Sequence, residues 1–436
     1  MKVAKRLHLN AVIFGLGSHE AAWRMPESDP RAITTLAYWT DIAQTAEDGG
    51  FDALFLGDVL AQQDGADHHL SDALDPLVIL SALAGVTRRI GLIGTASTSF
   101  DHPYHLARRF ASLDHLTDGR AGWNIVTSSN PLEAYNFGLD EMPGHAERYA
   151  RAEDVVTAVK ALWQSRSAAQ PKADKAAGVY FDPGAAKPAD HHGPFVHSRG
   201  PLNVPRSPQG RPLLAQAGSS AAGRDFAARH ADIVFTVQSS IEPAKAFYAE
   251  MKDRARRMGR DPDQLLIMPG IVPIAAETRV AAEARLAAMS DFVVLDHLVA
   301  KLSSFLGTDL GGADLDRPLP HEALDAERNQ SSRSRVEALA GIAGRERLTL
   351  RQLLMRFAAG RGHLLAVGTG REIADTMATW LNEKAADGFN IMCPVMPADL
   401  LSFNALVMPE LETRGLRPAS KDGALRQRYG LAEPDN

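Results

Sequence analysis

Polar residues follow apolar, strand-like runs at four places along the chain. Asp58 follows DALFLG, Thr95 lies in IGLIGTAST, Asn124 lies in AGWNIVTSSN, and GSS (residues 218–220) follows PLLAQA. Loop or capping chemistry explains any one of them alone, since Asp, Asn and Ser are common in turns and at helix N-termini. Because all four follow the same kind of run, we predict that they line one polar pocket at successive strand ends.

Two of these segments have the residue types that bind a phosphate. GSS precedes a helix-like stretch, whose unpaired N-terminal amides and positive dipole end favour an anion. GHAERYARAEDVV (residues 144–156) places His145, Arg148 and Tyr149 within about one helical turn. The alternatives are a simple helix cap for GSS and a solvated helix face for the second segment.

The surrounding sequence predicts alternating strands and helices that would position these residues. Eight runs rich in β-branched and apolar residues are predicted as strands: residues 8–14, 52–58, 90–98, 120–128, 211–220, 231–237, 265–274 and 388–395. Amphipathic stretches such as TTLAYWTDIAQTAEDGG separate them. Eight strand–helix units favour an α/β fold, a (β/α)₈ TIM barrel, over an open doubly wound sheet, and barrel active sites lie at the C-terminal strand ends.

Two long segments, residues 165–210 and 307–347, interrupt this repeat. Neither is periodic over its whole length, and the second is rich in Gly, Pro and charged residues, which predicts little capacity to form a core. Loops of this length in a compact domain are usually functional. We therefore predict one domain over residues 1–436 with two insertions over the C-terminal face of the barrel, the second of them a lid. Mobile surface decoration is the alternative.

The composition limits the classes of function. The 436 residues carry a net charge of -6, so there is no basic excess for nucleic acid or an anionic membrane. The single cysteine, Cys393, excludes an intramolecular disulfide. No apolar run approaches the roughly 18 residues of a membrane span, and the N-terminus lacks signal-peptide features. A cytoplasmic location is expected, with no nucleic-acid or membrane partner.

Five longer segments resemble the bacterial luciferase-like superfamily. The similarity is to its two-component branch of monooxygenases that use reduced FMN, which includes nitrilotriacetate monooxygenase component A, dibenzothiophene-sulfone monooxygenase and long-chain alkane monooxygenase. The segments are HLNAVIFGLGSHEAAWR (8–24), HPYHLARRFASLDHLTDGRAGWNIVTS (102–128), GHAERYARAED (144–154), PLLAQAGSSAAGRDFAARHADIVFT (212–236) and GFNIMCPVMPADL (388–400). Together they extend over most of the chain outside the two insertions.

The resemblance implies FMN at the C-terminal strand ends and assigns roles to matching positions. The implied cofactor-binding residues are Asp58, Thr95, Asn124, His145, Tyr149, Gly218, Ser219 and Ser220. The first three would surround the isoalloxazine and ribityl groups, and the last four would hold the phosphate. His19 and His145 are the implied catalytic residues, with His19 facing the substrate and His145 close to the flavin. Ser18 and Met25 stand where relatives often carry histidines.

The resemblance also implies the reaction and a partner. Reduced FMN would activate O₂ as a flavin peroxide, which oxygenates a small organic substrate. The chain has no strand–GxGxxG–helix unit for a nicotinamide, because GLGSHE and GTGREI both lack the third Gly. A separate NAD(P)H:FMN reductase is therefore expected, and the chain is expected to form a homodimer or homotetramer.

The same sequence features leave other functions open. A deazaflavin-dependent dehydrogenase and a non-catalytic flavin-binding protein are possible on the same scaffold. No metal site is expected, because the pairs His68-His69 and His191-His192 lack HExxH spacing. Cys393 is expected to be a buried core residue, and no GxSxG elbow suggests a serine hydrolase. The sequence leaves open the substrate and whether oxygen goes to carbon, sulfur or nitrogen.

Overall fold

Parallel strands form one large sheet in the computed structural model, which describes residues 6–62, 68, 73–167, 172–324, 333–417 and 422–434. The strands of this sheet are β1 (His8–Ile13), β2 (Ala53–Leu56), β3 (Gly91–Ser97), β4 (Ala121–Val126), β7 (Leu213–Gln216), β8 (Ile233–Thr236), β9 (Leu266–Ala275), β10 (Leu364–Gly368) and β11 (Gly388–Ile391). Two short strands, β5 (His191–His192) and β6 (His197–Ser198), form a separate antiparallel pair.

Eight strands of the large sheet close into a barrel in the order β11-β1-β2-β3-β4-β7-β8-β9. The ring closes at β9, which pairs with β8 through Ile233 and Leu266 and with β11 through Asn390 and Gly270. The predicted (β/α)₈ TIM barrel is therefore confirmed. All eight strands are parallel, so their C-terminal ends form one mouth.

Helices connect the strands and surround the barrel. They are α1 (Leu36–Asp48), α2 (Pro76–Leu83), α3 (Pro103–Leu116), α4 (Pro131–Asn136), α5 (His145–Gln164), α6 (Ala221–His230), α7 (Ile241–Arg257), α8 (Arg279–Asp291), α9 (Leu295–Leu306), α10 (Arg333–Glu346), α11 (Leu350–Gly360), α12 (Gly370–Asn382), α13 (Ala398–Leu406), α14 (Met408–Thr413) and α15 (Leu425–Arg428). Within the described residues, none of these helices is long and apolar enough to span a membrane. Cys393 is buried in the core, as predicted.

The prediction of eight strands omits β10. This five-residue strand pairs with the C-terminal half of β9 only, from Ile271 to Ala275. Its sequence, LLAVG, is apolar but short, and three of its residues are only partly buried. The GTGREI segment that follows it starts α12, where Thr369 and Glu372 form a capping box.

The segment of residues 165–210 lies elsewhere than expected. It leaves the C-terminal end of α5 and leads to the N-terminal end of β7. Gln209 donates a hydrogen bond of 2.7 Å to the carbonyl of Ala121, the first residue of β4, and Ser207 donates to Asp114 in α3. Its described part therefore runs along α3 and α5 towards the N-terminal side of the barrel, and not over the mouth.

The segment of residues 307–347 contributes more to the core than predicted. It contains α10, whose Val336 and Leu339 are fully buried. These side chains join a cluster with apolar residues of α9, of α11 and of the segment between α9 and α10: Leu298, Leu302, Leu306, Leu310, Leu324, Leu350, Leu353, Leu354, Phe357 and Ala358. The segment is polar overall, but four of its apolar side chains are buried in this cluster: Leu310, Leu324, Val336 and Leu339. The cluster follows the C-terminal end of β9, so it belongs to the mouth side.

The N-terminal end of the barrel is filled by the C-terminal part of the chain. Leu425, Tyr429 and Leu431 pack into the cluster of inward-facing strand residues. The Tyr429 hydroxyl is hydrogen-bonded to Oδ1 of Asn10, whose Nδ2 donates to Asn390 at 3.0 Å. A polar chain thus crosses the interior between β1, β11 and the segment after α15.

We predict that Tyr429→Phe destabilises the fold. Removing the hydroxyl leaves the buried Oδ1 of Asn10 without this donor, which costs about 1–3 kcal/mol. The matched control is Tyr180→Phe, because the Tyr180 side chain is 65% exposed. Urea unfolding of both variants should show a lower midpoint for Tyr429→Phe only, and equal midpoints would contradict a role for this hydrogen bond.

Candidate active site at the C-terminal mouth of the barrel

Thr95 and Asn124 lie side by side on neighbouring strands at the mouth. The register pairs them directly across β3 and β4. Asn124 donates from Nδ2 to Thr95 Oγ1 at 2.9 Å, and Thr95 donates to the carbonyl of Leu56 at 2.7 Å. The buried Oδ1 of Asn124 has no hydrogen-bond partner in the described structure. An acceptor therefore remains available at the rim.

His145, Tyr149 and Ser220 form a second group. His145 begins α5, and its Nε2 lies 3.0 Å from Oγ of Ser220. Ser220 caps α6, since its Oγ accepts a hydrogen bond of 3.1 Å from the amide of Gly223. The rings of His145 and Tyr149 lie 4.9 Å apart. The sequence-predicted residues of the two helices therefore meet at the N-terminus of α6.

Two glycines allow the backbone to approach the Tyr149 hydroxyl. A Cβ at Gly218 would lie 2.5 Å from this oxygen, and a Cβ at Gly223 would lie 2.6 Å from it. The side chains of Ser220, Thr127 and Gln216, the last residue of β7, surround the hydroxyl. Burial raises the pKa of Tyr149, so the phenol keeps its proton and can donate.

Asp58 lies beyond the end of β2 among other acids. Burial, followed by the charge of Asp75, raises the pKa of Asp58 to about 6. Glu133 and Asp101 contribute smaller effects in the same direction. Glu133 also accepts a hydrogen bond of 3.0 Å from the amide of Leu60, which ties the loop after β2 to α4. Asp58 therefore changes charge closer to neutral pH than an ordinary aspartate.

His19 lies in the loop after β1 and is almost fully buried. Its Nδ1 accepts a hydrogen bond of 3.1 Å from the amide of Ala21. Burial lowers the pKa of His19 to about 4, and the charges of Arg361 and Arg285 add to the shift while Glu20 opposes it. The imidazole is therefore neutral, with its proton on Nε2, and this buried nitrogen has no hydrogen-bond partner in the described structure.

A second buried histidine, His363, was not predicted as a site residue. It precedes β10, and a Cβ at Gly270 of β9 would overlap its Nδ1. Gly270 lies between Met268 and Val272, which face the barrel interior, so His363 covers the interior of the barrel. Burial lowers its pKa to about 3, with smaller effects from Arg335 and Arg361. Its Nδ1 also has no partner among the described residues.

The structure thus arranges the predicted residues in separate groups around one mouth. His145, Tyr149, Gly218 and Ser220 lie together, and Thr95 contacts Asn124. Ser219 is adjacent in sequence, and its carbonyl accepts a hydrogen bond of 2.8 Å from Nε of Arg224. Asp58 and His19 belong to different strand ends. Sequence reasoning missed Gln216 and His363, although a buried Gln ending the apolar run LLAQ was a signal for the first.

Comparison with known proteins identifies the family. The luciferase-like monooxygenase family matches residues 15–387. The chain is 42% identical to N-acetyl-S-(2-succino)cysteine monooxygenase of Bacillus subtilis (strain 168), over 99% of this chain and 98% of that protein. It is also 42% identical to nitrilotriacetate monooxygenase component A of Aminobacter aminovorans, over 100% of this chain and 99% of that protein.

A solved structure shows the same fold. Riboflavin lyase, determined with modified FMN and substrate riboflavin, superposes with a TM-score of 0.87 at 31% sequence identity, covering 98% of this chain and 97% of that one. The predicted resemblance is confirmed along the whole chain, and the barrel, its polar mouth and these similarities together show that the chain belongs to the luciferase-like monooxygenase family.

Proposed function

We propose that this chain binds reduced FMN at the mouth of the barrel and uses O₂ to oxygenate a small organic substrate. The chain is a flavin-dependent monooxygenase, as its full-length similarity to named monooxygenases shows. The observation that carries the proposed site is the group at the N-terminus of α6, where His145 and Tyr149 meet Ser220. A deazaflavin-dependent dehydrogenase is not favoured, because these relatives are monooxygenases.

The residues at the start of α6 fit the phosphate of FMN. The first amides of a helix lack intrahelical partners and carry the positive end of its dipole. The hydroxyls of Tyr149, Ser219 and Ser220 add donors, and Gly218 lets the backbone come close. Arg148, buried next to this group, keeps Nε without a hydrogen-bond partner in the described structure. This set of donors suits an oxyanion with several acceptor atoms.

The adjoining part of the rim, at the ends of β4 and β7, fits the rest of the flavin. Asn124 and Gln216 each have a buried side-chain oxygen without a partner in the described structure. Such acceptors suit the hydroxyl groups of a ribityl chain or a ring N–H, because an unpaired buried acceptor costs free energy. Thr95 holds Asn124 in place, and Asp58 would lie towards the isoalloxazine. When bound, reduced FMN supplies the electrons that activate O₂.

The chain's own residues would position the substrate and exclude water. His19 is neutral over the physiological pH range, so its Nε2–H can donate a hydrogen bond to substrate but carries no charge. Ion pairs of Glu20 with Lys301 of α9 (2.8 Å) and with Arg361 after α11 (2.7 Å) attach the cluster of α9, α10 and α11 to the loop after β1, next to His19. We assign a lid role to this cluster, since excluding water protects oxygen transfer.

A separate NAD(P)H:FMN reductase is the proposed partner. The sequence contains no GxGxxG motif for a dinucleotide, and the 42% identical nitrilotriacetate monooxygenase protein is a component A. A homodimer or homotetramer stays a prediction.

The first test measures the reaction itself. With FMN, a generic flavin reductase, NADH and ¹⁸O₂, a product screen by mass spectrometry should detect one ¹⁸O atom in the product. The chain alone should not oxidise NADH, because its sequence contains no GxGxxG motif for that cofactor. Steady NADH oxidation without the reductase, or products that lack ¹⁸O, would contradict the proposed function.

The phosphate assignment predicts a specific loss in Ser220→Ala. The affinity for FMN should fall about 10- to 100-fold, equivalent to roughly 1–3 kcal/mol, while riboflavin, which has no phosphate, should bind as before. Thr349→Ala is the matched control, because Thr349 caps α11 through a 3.3 Å hydrogen bond from Gln352. Fluorescence titration gives both affinities. An unchanged ratio of FMN to riboflavin affinity would place the phosphate elsewhere.

The lid assignment predicts uncoupling in Leu339→Ala. This change opens a cavity under α10 and weakens its packing by about 2–5 kcal/mol. Reduced FMN should still be oxidised, but more hydrogen peroxide should form per product molecule. Leu411→Ala removes an equally buried leucine from α14 and should leave the peroxide yield unchanged. Peroxide and product are measured together on folded protein, and equal coupling in both variants would remove the lid from the mechanism.

A further inference from the structure

Three cations, Lys301, Arg335 and Arg361, lie on the side of the mouth formed by α9, α10 and α11. Glu20 is the carboxylate of this group, and it pairs with both Lys301 and Arg361. Arg335 of α10 is a third cation, and its charge contributes to lowering the pKa of His363. Within the described residues, no carboxylate forms an ion pair with Arg335. In the described part of the chain, two of these three cations therefore have a carboxylate partner and Arg335 has none.

The position of α10 brings Arg335 to the rim of the barrel. A Cβ at Gly362 would lie 3.3 Å from the carbonyl oxygen of Arg335 and 3.5 Å from the side chain of Val237, which follows β8. Gly362 has a φ of +91°, so this close approach and this backbone conformation both favour glycine. Further along α10, Arg345 donates a hydrogen bond of 3.2 Å to Ser239. The helix therefore lies along the segment that follows β8.

The surroundings of Arg335 are apolar enough to make an unpaired cation costly. Burial lowers the pKa of Arg335 to about 10, and the charge of Arg361 adds to this effect. The guanidinium still carries its charge at neutral pH. His363, which Arg335 affects, is neutral because burial lowers its pKa. A partly buried cation without a counter-ion is stabilised when an anion binds.

We propose that Arg335 binds a carboxylate of the substrate, so that this enzyme oxygenates small organic acids. The inference rests on the proposed function and extends it from a reaction to a substrate class. Arg335 would act as a specificity-determining residue that holds the acid group, while the unpartnered Nδ1 of His363 offers an uncharged hydrogen-bonding atom beside it. The planar guanidinium matches a carboxylate through two parallel hydrogen bonds.

The phosphate of FMN is the other anion that could occupy this position. The structure provides a different place for it, because Tyr149 and Ser220 meet at α6, whereas Arg335 lies beside His363 and the turn before β10. The affinity for FMN therefore distinguishes the two assignments. Loss of FMN affinity in an Arg335 variant would show that Arg335 binds cofactor and would overturn the proposal.

The test uses FMN-loaded protein and matched pairs of carboxylates and amides. Acetate, succinate and citrate are each compared with the corresponding amide by calorimetric titration. At least one acid should bind 10-fold or more tightly than its amide, because a charge-assisted bidentate contact is lost in the amide. Arg335→Met should abolish this preference, and Arg335→Lys should keep part of it. Arg345→Met, a matched change on the same helix, should leave the preference unchanged.

The outcomes separate this inference from the function on which it rests. If the unaltered protein does not bind FMN, both the proposed site and the carboxylate assignment fail. If FMN binds equally well to all variants but no acid is preferred over its amide, or Arg335→Met keeps the preference, only the carboxylate assignment fails. In turnover with a preferred acid, Arg335→Met should raise KM at least 10-fold with a smaller change in kcat, since the contact acts mainly in binding.

Discussion

The barrel depends on β9, because this one strand pairs with three others. Its N-terminal half pairs with β8, its middle with β11 and its C-terminal half with β10. Gly270 lies where these pairings change over, and the absence of a side chain there makes room for His363. Closure of the barrel and construction of one wall of the mouth therefore use the same residues. A larger residue at position 270 would disturb both at once.

The sequence predicted those features that arise from local patterns. Long apolar runs gave the barrel strands, and the helical spacing of His145 and Tyr149 gave their common face on α5. β10 was missed because its five residues carry little periodicity and pair with one strand. Arg335 and His363 were missed because their importance comes from a contact between α10 and a distant turn. The pairing of Thr95 with Asn124 also needed the register of β3 and β4, which no local pattern contains.

The mouth has opposite charges on its two sides. Asp58 lies with Asp75, Asp101 and Glu133, and this environment raises its pKa. Across the mouth, Arg361 contributes to lowering the pKa values of His19 and His363. An acid and two bases are thus all shifted towards their uncharged forms, although burial is the main cause in each case. The field between the two sides gives a bound molecule a preferred orientation, because its negative end is attracted to the side of α10.

The packing of the chain's C-terminal part into the N-terminal end of the barrel affects when the barrel interior can close during synthesis. All strands are made once the ribosome has passed Ile391, but the interior remains open until Leu425, Tyr429 and Leu431 follow. Asn10 of the first strand receives its partner from one of the last residues described. Domains commonly fold while the chain is still being made. Here the final packing step must wait until residues 425–431 have been made, so a barrel whose strands are already complete is still exposed to water at this end.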